Sequence, residues 1–513
     1  MYSIKICGIV QGVGFRPFIY KLAKHYDLKG YVLNSSEGVE IEVEGKQDKL
    51  ELFVDSIKQQ HPRAAQIERC DISIKPHRGY DAFVIRQSNI NSGFTLISPD
   101  LRTCEDCSCE LHNPTDFRYE YPFINCTNCG PRYSIIEKTP YDRLFTSMKD
   151  FALCSHCREE FENPFDRRFH AQPVACRQCG PKIRFLDSNL DEIIGDPISA
   201  CRCEILKGKI VGIKGIGGFH MACDATNAEA VNELRKRKNR PDKPFAVMCD
   251  IDYLNNIVDY TEAQLSLLKA TQAPIVLLPK AGMAMPQRSR SAARTIDNRI
   301  EVGIDSLIRS PIAESVAPQN NKLGVFLPYA PHQLLLFHSS DFHSPLYLVM
   351  TSGNANDEPI AIDENDLRGL CDYFLTHDRQ ILNRCDDSVI LPSAIDNIII
   401  RRSRGYVPSP VLSPVNVIPT LGTGAELKIS FCLAKENQFY MSPYIGNNYS
   451  KATEDFYIET IDKYIDWFGI KPELISCDMH PDYLTTHYAE NTGLPIVKVQ
   501  HHHAHIAAVM AEN

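Results

Sequence analysis

Eight cysteines between Cys104 and Cys179 limit what this chain can fold into. They fall in four CxxC pairs: Cys104 and Cys107, Cys126 and Cys129, Cys154 and Cys157, Cys176 and Cys179. A gap of two residues lets two thiolates grip one ion across a tight turn, and four thiolates close a tetrahedral structural zinc site. One such pair alone also fits a redox couple; four at matched spacing point to metal. Shifting the sequence by fifty residues lays Cys104 on Cys154, Cys107 on Cys157, Cys126 on Cys176 and Cys129 on Cys179. The same shift lays Asn113-Pro114 on Asn163-Pro164, Asp116 on Asp166, Arg118 on Arg168 and Gly130-Pro131 on Gly180-Pro181. A duplicated unit most simply carries its own ion. The pattern therefore predicts one zinc on the first four cysteines and a second on the last four. Cys109 aligns with Glu159 in the repeat and is predicted not to be a ligand.

At 513 residues the chain is long enough for several domains. Its N-terminus opens as a strand with no signal-peptide layout, and no run of about eighteen apolar residues occurs. The expectation is a cytoplasmic protein without a membrane span, its 19 cysteines being thiols or metal ligands and not a disulfide framework. A net charge of −9 argues against a broad electrostatic grip on nucleic acid, although a local basic patch runs from Arg235 to Lys238 and on to Arg240.

Residues 4–10 alternate as a strand, then Gln11-Gly12-Val13-Gly14-Phe15-Arg16-Pro17 leads into a helical run ending near His25. Glycines between strand and helix leave backbone N–H groups facing an anion, and Arg16 offers a cationic fork for a phosphate. Further strands, a helix over about 48–60 and two closing strands read as βαββαβ, a ferredoxin-like sandwich. Residues 8–16 with Gly30-Tyr31-Val32-Leu33-Asn34 resemble the acylphosphatase signature. That resemblance implies that Arg16 holds the phosphate and Asn34 orients the attacking water. The bland alternative is a glycine-rich turn with a surface arginine.

After Cys179 the composition is globular again. A strand near 209–213 is followed by a glycine turn to His220, a weak signal by itself. A helix over 227–238 ends in a cationic cluster, and a buried-looking strand at 346–350 precedes Thr351-Ser352-Gly353-Asn354. Polar groups after a buried strand are a common ligand position in open α/β sheets. Lys238-x-Arg240-Pro241 together with Ser352-x-Asn354 resembles the YrdC/Sua5 signature. The resemblance implies that Lys238 and Arg240 neutralise the triphosphate of ATP, which binds with Mg²⁺, and that Ser352 and Asn354 contact the nucleotide or its mixed anhydride. Arg404 is a further expected nucleotide contact. Asp386 and Asp387 fit either a solvated turn or a Mg²⁺ role.

The stretch from Pro408 to Pro419 reads as a linker. Beyond it come strands flanking a glycine hairpin, a helix over about 453–468 and a strand over 474–478. His501 and His505, four apart, share one helix face and fit one metal or a surface cluster. This segment resembles the first half of a Kae1-like domain, in which such a pair holds a metal. That fold needs a second lobe, so the expectation is a truncated product or partial gene model.

The order of segments resembles the HypF carbamoyltransferase family of NiFe-hydrogenase maturation. Residues 1–91 are predicted as an acylphosphatase-like domain, 100–185 as a tandem four-cysteine zinc-finger module, 195–407 as a YrdC-like α/β domain, and 408–513 as a linker with an incomplete, actin-like Kae1 lobe. The resemblance implies hydrolysis of carbamoyl phosphate, formation of carbamoyl adenylate from ATP, and transfer to the terminal cysteine of a HypE-type partner. A rival reading is a tRNA-modifying enzyme of the threonylcarbamoyl-adenylate class. A third is a zinc scaffold, which leaves Arg16, Asn34 and the Lys238/Arg240 pair unexplained.

Overall fold

Ile4 and Ile6 of the first strand point the same way, and Lys5 between them is more exposed. Period-two burial of this kind makes a one-faced sheet. The computed structural model describes residues 1–35, 38–62, 65–86, 96–282, 311–338, 345–355, 358–447 and 450–512. Its first unit runs β1 (Tyr2–Ile9), α1 (Phe15–His25), β2 (Lys29–Ser35), β3 (Gly38–Glu44), α2 (Gln47–Gln60), β4 (Gln66–Ile74) and β5 (Phe83–Ile85). The sheet order is β4-β1-β3-β2-β5. Helix α1 buries Phe15, Ile19, Leu22 and Ala23, and α2 buries Leu50, Phe53, Val54 and Ile57, both at helical spacing. The ferredoxin-like reading is borne out, with the short β5 added parallel to β2 at one edge. The predicted end of this unit at residue 91 lies outside the described residues.

The zinc module is built as two copies facing each other. Cys104 caps α3 (Glu105–His112), and Cys154 caps α4 (Ser155–Glu162). Arg118 of the first copy reaches Glu160 of the second through Nη1 at 2.8 Å, and Arg168 of the second reaches Glu110 of the first. Arg118 Nε donates to Ala175 O at 2.9 Å, and Arg168 Nε donates to Asn125 O at 3.2 Å. These bonds interchange under the fifty-residue shift, so the repeat is a pseudo-twofold pair closed by two buried arginines. Tyr121, Phe123, Tyr133 and Ile135 of the module belong to one apolar cluster that also takes in the first sheet and the C-terminal unit.

The third unit comprises β6 (Ile183–Asp187), α5 (Pro197–Leu206), β7 (Val211–Lys214), β8 (Phe219–Asp224), α6 (Ala228–Arg237), β9 (Ala246–Cys249), α7 (Glu262–Leu268), β10 (Ile275–Pro279), β11 (Lys322–Phe326), α8 (Pro331–Phe337), β12 (Tyr347–Ser352), β13 (Tyr373–His377), β14 (Val389–Leu391) and β15 (Ile398–Arg401). They form one mixed ten-stranded sheet, β15-β14-β10-β11-β9-β12-β8-β7-β13-β6. Strands β7, β8, β9 and β12 are almost wholly buried, as strands covered on both faces must be.

The last unit holds β16 (Val411–Gly422), β17 (Cys432–Met441), α9 (Lys451–Phe468), β18 (Leu474–Asp478), α10 (Leu484–Asn491), β19 (Ile496–Val499) and α11 (His501–Glu512), with sheet order β17-β16-β18-β19. The predicted linker is corrected here, because 411–422 is a strand. Its ladder to β17 slips between Leu412 and Val417 and again between Val417 and Thr420. Pro414 and Pro419 fall in those gaps, where no N–H is needed. Pro419 still contributes its carbonyl, which accepts from Glu473 N at 2.8 Å. Trp467 of α9 donates to Glu137 O at 3.1 Å, which docks this unit on the zinc module.

Candidate functional site

Arg16 and Asn34 meet in one pocket, and part of its wall comes from the zinc module. Its lining includes Gly12, Gly14, Arg16 and Asn34 from the first unit and Thr127, Arg132, Tyr141, His170 and Gln172 from the module. Gly14 caps α1 at φ 76° without a side-chain bond to the first turn, so backbone N–H groups remain available to an anion. A Cβ on Gly14 would meet Thr127 Oγ1 at 3.1 Å, so the glycine also admits the module's approach. Arg16 is 9 % exposed. Burial lowers its pKa, opposed by Asp142 of the module at 3.5 Å. Asn34 is buried, and its Oδ1 has no hydrogen-bond partner. His170 is pushed down to about 4 by burial and then by Arg16, so its ring is neutral. Arg132 joins the metal knuckle to the loop: Nε donates to Gly12 O at 2.6 Å, and Nη2 donates to Cys126 O at 3.3 Å and Thr127 O at 3.1 Å.

Lys238, Arg240, Ser352 and Asn354 also come together, although more than a hundred residues separate the two pairs. Lys238 Nζ, at the end of α6, donates to Ser352 O at 2.8 Å, Asn354 O at 2.8 Å and Asn354 Oδ1 at 2.9 Å. Ser352 Oγ donates to the same Oδ1 at 3.0 Å. Arg240 Nη1 reaches Thr351 Oγ1 at 3.4 Å. Burial and then Arg240 push Lys238 down to about 7; burial, Arg235 and Arg401 push Arg240 down to about 10. Two weakened cations beside polar groups at a strand end favour a polyanion.

The cysteines assemble as predicted, the first four in one group and the last four in another, each group's ligand atoms within 4.8 Å of one another. Within the first, Cys104 and Cys126 Sγ are 3.6 Å apart, Cys126 and Cys129 3.8 Å, and Cys107 and Cys129 3.5 Å. Within the second, Cys154 and Cys176 are 3.7 Å apart, as are Cys176 and Cys179. The edge of a zinc–thiolate tetrahedron with bonds of about 2.3 Å is roughly 3.8 Å, so both sets fit zinc. Donors to sulfur fit thiolates too: Arg167 Nη2 lies 3.0 Å from Cys107, and Arg118 Nη2 lies 3.3 Å from Cys157. Cys109 is exposed and outside both sets. His505 and His501 face each other across 3.1 Å between Nε2 atoms, and His501 Nδ1 is 2.7 Å from Asp478 Oδ2.

Family models match the chain from end to end. The acylphosphatase model covers residues 2–85, the HypF finger 103–136 and 153–186, a Sua5/YciO/YrdC model described as telomere recombination 203–403, and the HypF Kae1-like domain 416–512. Carbamoyltransferase HypF of Synechocystis sp. is 42% identical over 526 residues, covering 100% of this chain and 64% of that protein. The chain belongs to the HypF family. Carbamoyltransferase HypF2 of Cupriavidus necator is 40% identical, covering 99% of this chain and 63% of its own length. A crystal structure of full-length HypF in the phosphate- and nucleotide-bound form is 42% identical and superposes with a TM-score of 0.90, over 100% of this chain and 64% of that one. The chain therefore spans under two thirds of the HypF proteins it matches.

Burial bears on two expectations for this chain. Arg404 is 1% exposed, with Nε on Asp387 Oδ1 at 2.7 Å, Nη1 on Gln272 O at 3.1 Å and Nη2 on Ala273 O at 2.8 Å. Its guanidinium stacks on Tyr329, 3.5 Å from the ring centre. These bonds make it a strut within the third unit. Asp386 and Asp387 are no solvated turn: both are buried, and Asp387 bridges Arg404 and His220 Nε2, the latter at 2.8 Å. Asp142, His170 and Asp478 were missed. Asp142 and His170 sit far from Arg16 in sequence, and no motif marks them. For Asp478 the only signal was a carboxylate closing a buried strand ahead of His480.

Proposed function

We propose that this chain carries the first two steps of a carbamoyl relay in the cytoplasm, acting on carbamoyl phosphate and ATP. The observation behind the reading is that one chain assembles two separate phosphate-type sites, around Arg16 and around Lys238, on a shared scaffold. At the first, the N–H groups of the Gly12–Arg16 loop and the Arg16 guanidinium hold the phosphoryl group. Asn34 Oδ1 accepts from a water and orients it. The water attacks, the bond between phosphorus and the carbamoyl oxygen breaks, and phosphate and carbamate separate. At the second, Lys238 and Arg240 hold the triphosphate of ATP, which arrives with Mg²⁺, while Ser352 and Asn354 contact the nucleotide. A carbamate oxygen attacks the α-phosphorus, pyrophosphate leaves, and carbamoyl adenylate forms. Carbamate decays in water, which favours both steps on one chain. In the whole protein the carbamoyl group then passes to the terminal cysteine of a HypE-type partner, with His501 and His505, steadied by Asp478, as ligands of a further metal.

The test follows phosphate and pyrophosphate separately. Carbamoyl phosphate with ATP is expected to drive pyrophosphate release. Arg16→Ala is expected to lower phosphate release by roughly 10²–10³, the usual cost of removing one preorganised charge-stabilising donor. Pyrophosphate release that requires threonine and bicarbonate instead would sink the reading.

A further inference from the structure

Arg379, just beyond β13, is 4% exposed, yet its Nε makes no hydrogen bond and no carboxylate pairs with it among the described residues. Burying a guanidinium without a partner is costly, so such a group points to an anion that completes it. Its surroundings share the deficit. His332 Nε2 and His377 Nδ1 are buried and unpartnered as well. Phe123 of the zinc module is a common wall for Arg379 and His377: the Arg379 guanidinium lies 5.3 Å from its ring centre, and the His377 ring stands edge-on to it at 5.1 Å. Lys214 adds a second cation, donating from Nζ to His377 O at 3.1 Å. Burial and then the charge of Arg379 hold His332 down to about 3 and His377 well below its usual value, so both rings are neutral; the one N–H of His377 is on Nε2, which donates to Gly215 O at 3.4 Å, and this leaves Nδ1 an acceptor. Asp100, the buried carboxylate whose charge reaches Arg379, commits Oδ1 to the N–H groups of Arg132 and Ser134 and to the Ser134 hydroxyl, while its Oδ2 is buried without a hydrogen-bond partner. The charge of Arg379 also reaches Tyr141, a wall of the Arg16 pocket.

We propose that Arg379, with His332 and His377, forms a buried site for a small planar carboxylate-type anion, of the class of carbamate and bicarbonate. A guanidinium fork matches two coplanar oxygens, the neutral His332 ring offers one N–H without adding charge, and His377 Nδ1 can accept from the O–H or N–H₂ of such an anion. One unpartnered fork suits a monoanion better than a phosphate dianion. The anion site stands on the geometry alone; naming its occupant as carbamate rests on the relay proposed above.

The probe is bicarbonate, added to the 513-residue chain at fixed pH, with sulfate as the tetrahedral control. Bicarbonate is expected to raise the thermal midpoint of the wild type and of Arg16→Ala alike. Its affinity by calorimetry should fall roughly tenfold or more in Arg379→Met and less in Arg379→Lys, which keeps the charge but loses the fork. Without bicarbonate, Arg379→Met should melt at or above the wild type, because a bare buried charge has been removed. No shift in the wild type, a shift that survives Arg379→Met, or one lost in Arg16→Ala each overturns the site. A lower midpoint for Arg379→Met without anion would make the guanidinium structural and overturn it too. Carbamoyl-phosphate-dependent pyrophosphate release separates the two proposals. Its absence from the wild type sinks the relay and leaves the anion site standing on bicarbonate. Its presence, undiminished in Arg379→Met, sinks carbamate as the occupant.

Discussion

Lys238 is 3% exposed, and its ammonium donates to three oxygens, none of them ionised. Burial then wins over hydrogen bonding, and the pKa falls to about 7. This has two consequences of known sign. The folded value lies below the unfolded lysine value of about 10.4. The stability this group contributes is therefore present above the unfolded pKa and is lost as pH falls toward 7. Nucleotide phosphates, in contrast, select the protonated form, so ATP affinity should weaken as pH rises above about 7, by up to roughly tenfold per unit. Calorimetry between pH 6 and 9 checks it, and Lys238→Arg should flatten the profile because its charge does not titrate there. A flat wild-type profile would mean that Lys238 does not meet the nucleotide.

The two copies of the zinc module lean on each other through arginines. Arg118 and Glu160 are 2% and 13% exposed at their side chains, and the pair is tied further to Cys157 and Ala175. Among the described residues, Arg118→Met leaves Glu160 with Arg168 at 3.6 Å and His156 at 3.6 Å. Breaking one partner of such a pair costs roughly 3 kcal/mol, and removing both charges costs far less. Arg118→Met is thus expected to lower the zinc-loaded protein's thermal midpoint, and adding Glu160→Leu to recover at least half of the loss. Additive losses in the double variant would show that the pair is not a buried unit. The repeat itself was legible in the sequence, since Arg118 aligns with Arg168; that each arginine crosses to the other copy was not, because alignment carries no information about pairing in space. The same limit hid Asp142 behind Arg16 and Arg379 behind Phe123. Local rules succeeded where neighbours decide, as for Gly14 at the start of α1. They failed at β16, where prolines read as a linker and a slipping ladder absorbed them.

Across the whole molecule, the zinc module completes the Arg16 pocket. It contributes Thr127, Arg132, Tyr141, His170 and Gln172 to the wall and Asp142 to the arginine itself. The connection to metal is short. Cys126 belongs to the first four-cysteine set, which fits zinc, its carbonyl and that of Thr127 accept from Arg132, and Arg132 Nε donates to Gly12 O in the loop before α1. The knuckle holds its turn only while thiolates share an ion, since structural zinc supplies folding energy outright. Chelation under reducing conditions should therefore loosen Arg132, release Gly12 and open the pocket to water. Phosphate release from carbamoyl phosphate is expected to fall at least roughly tenfold, the scale of losing support beneath a positioned site. Returning two equivalents of zinc should restore it. A colorimetric phosphate assay on stripped, restored and untreated protein reads all three states. Full activity after both zincs are gone would show that the first unit holds its pocket alone, and that the module's place beside Arg16 is packing without consequence for the chemistry.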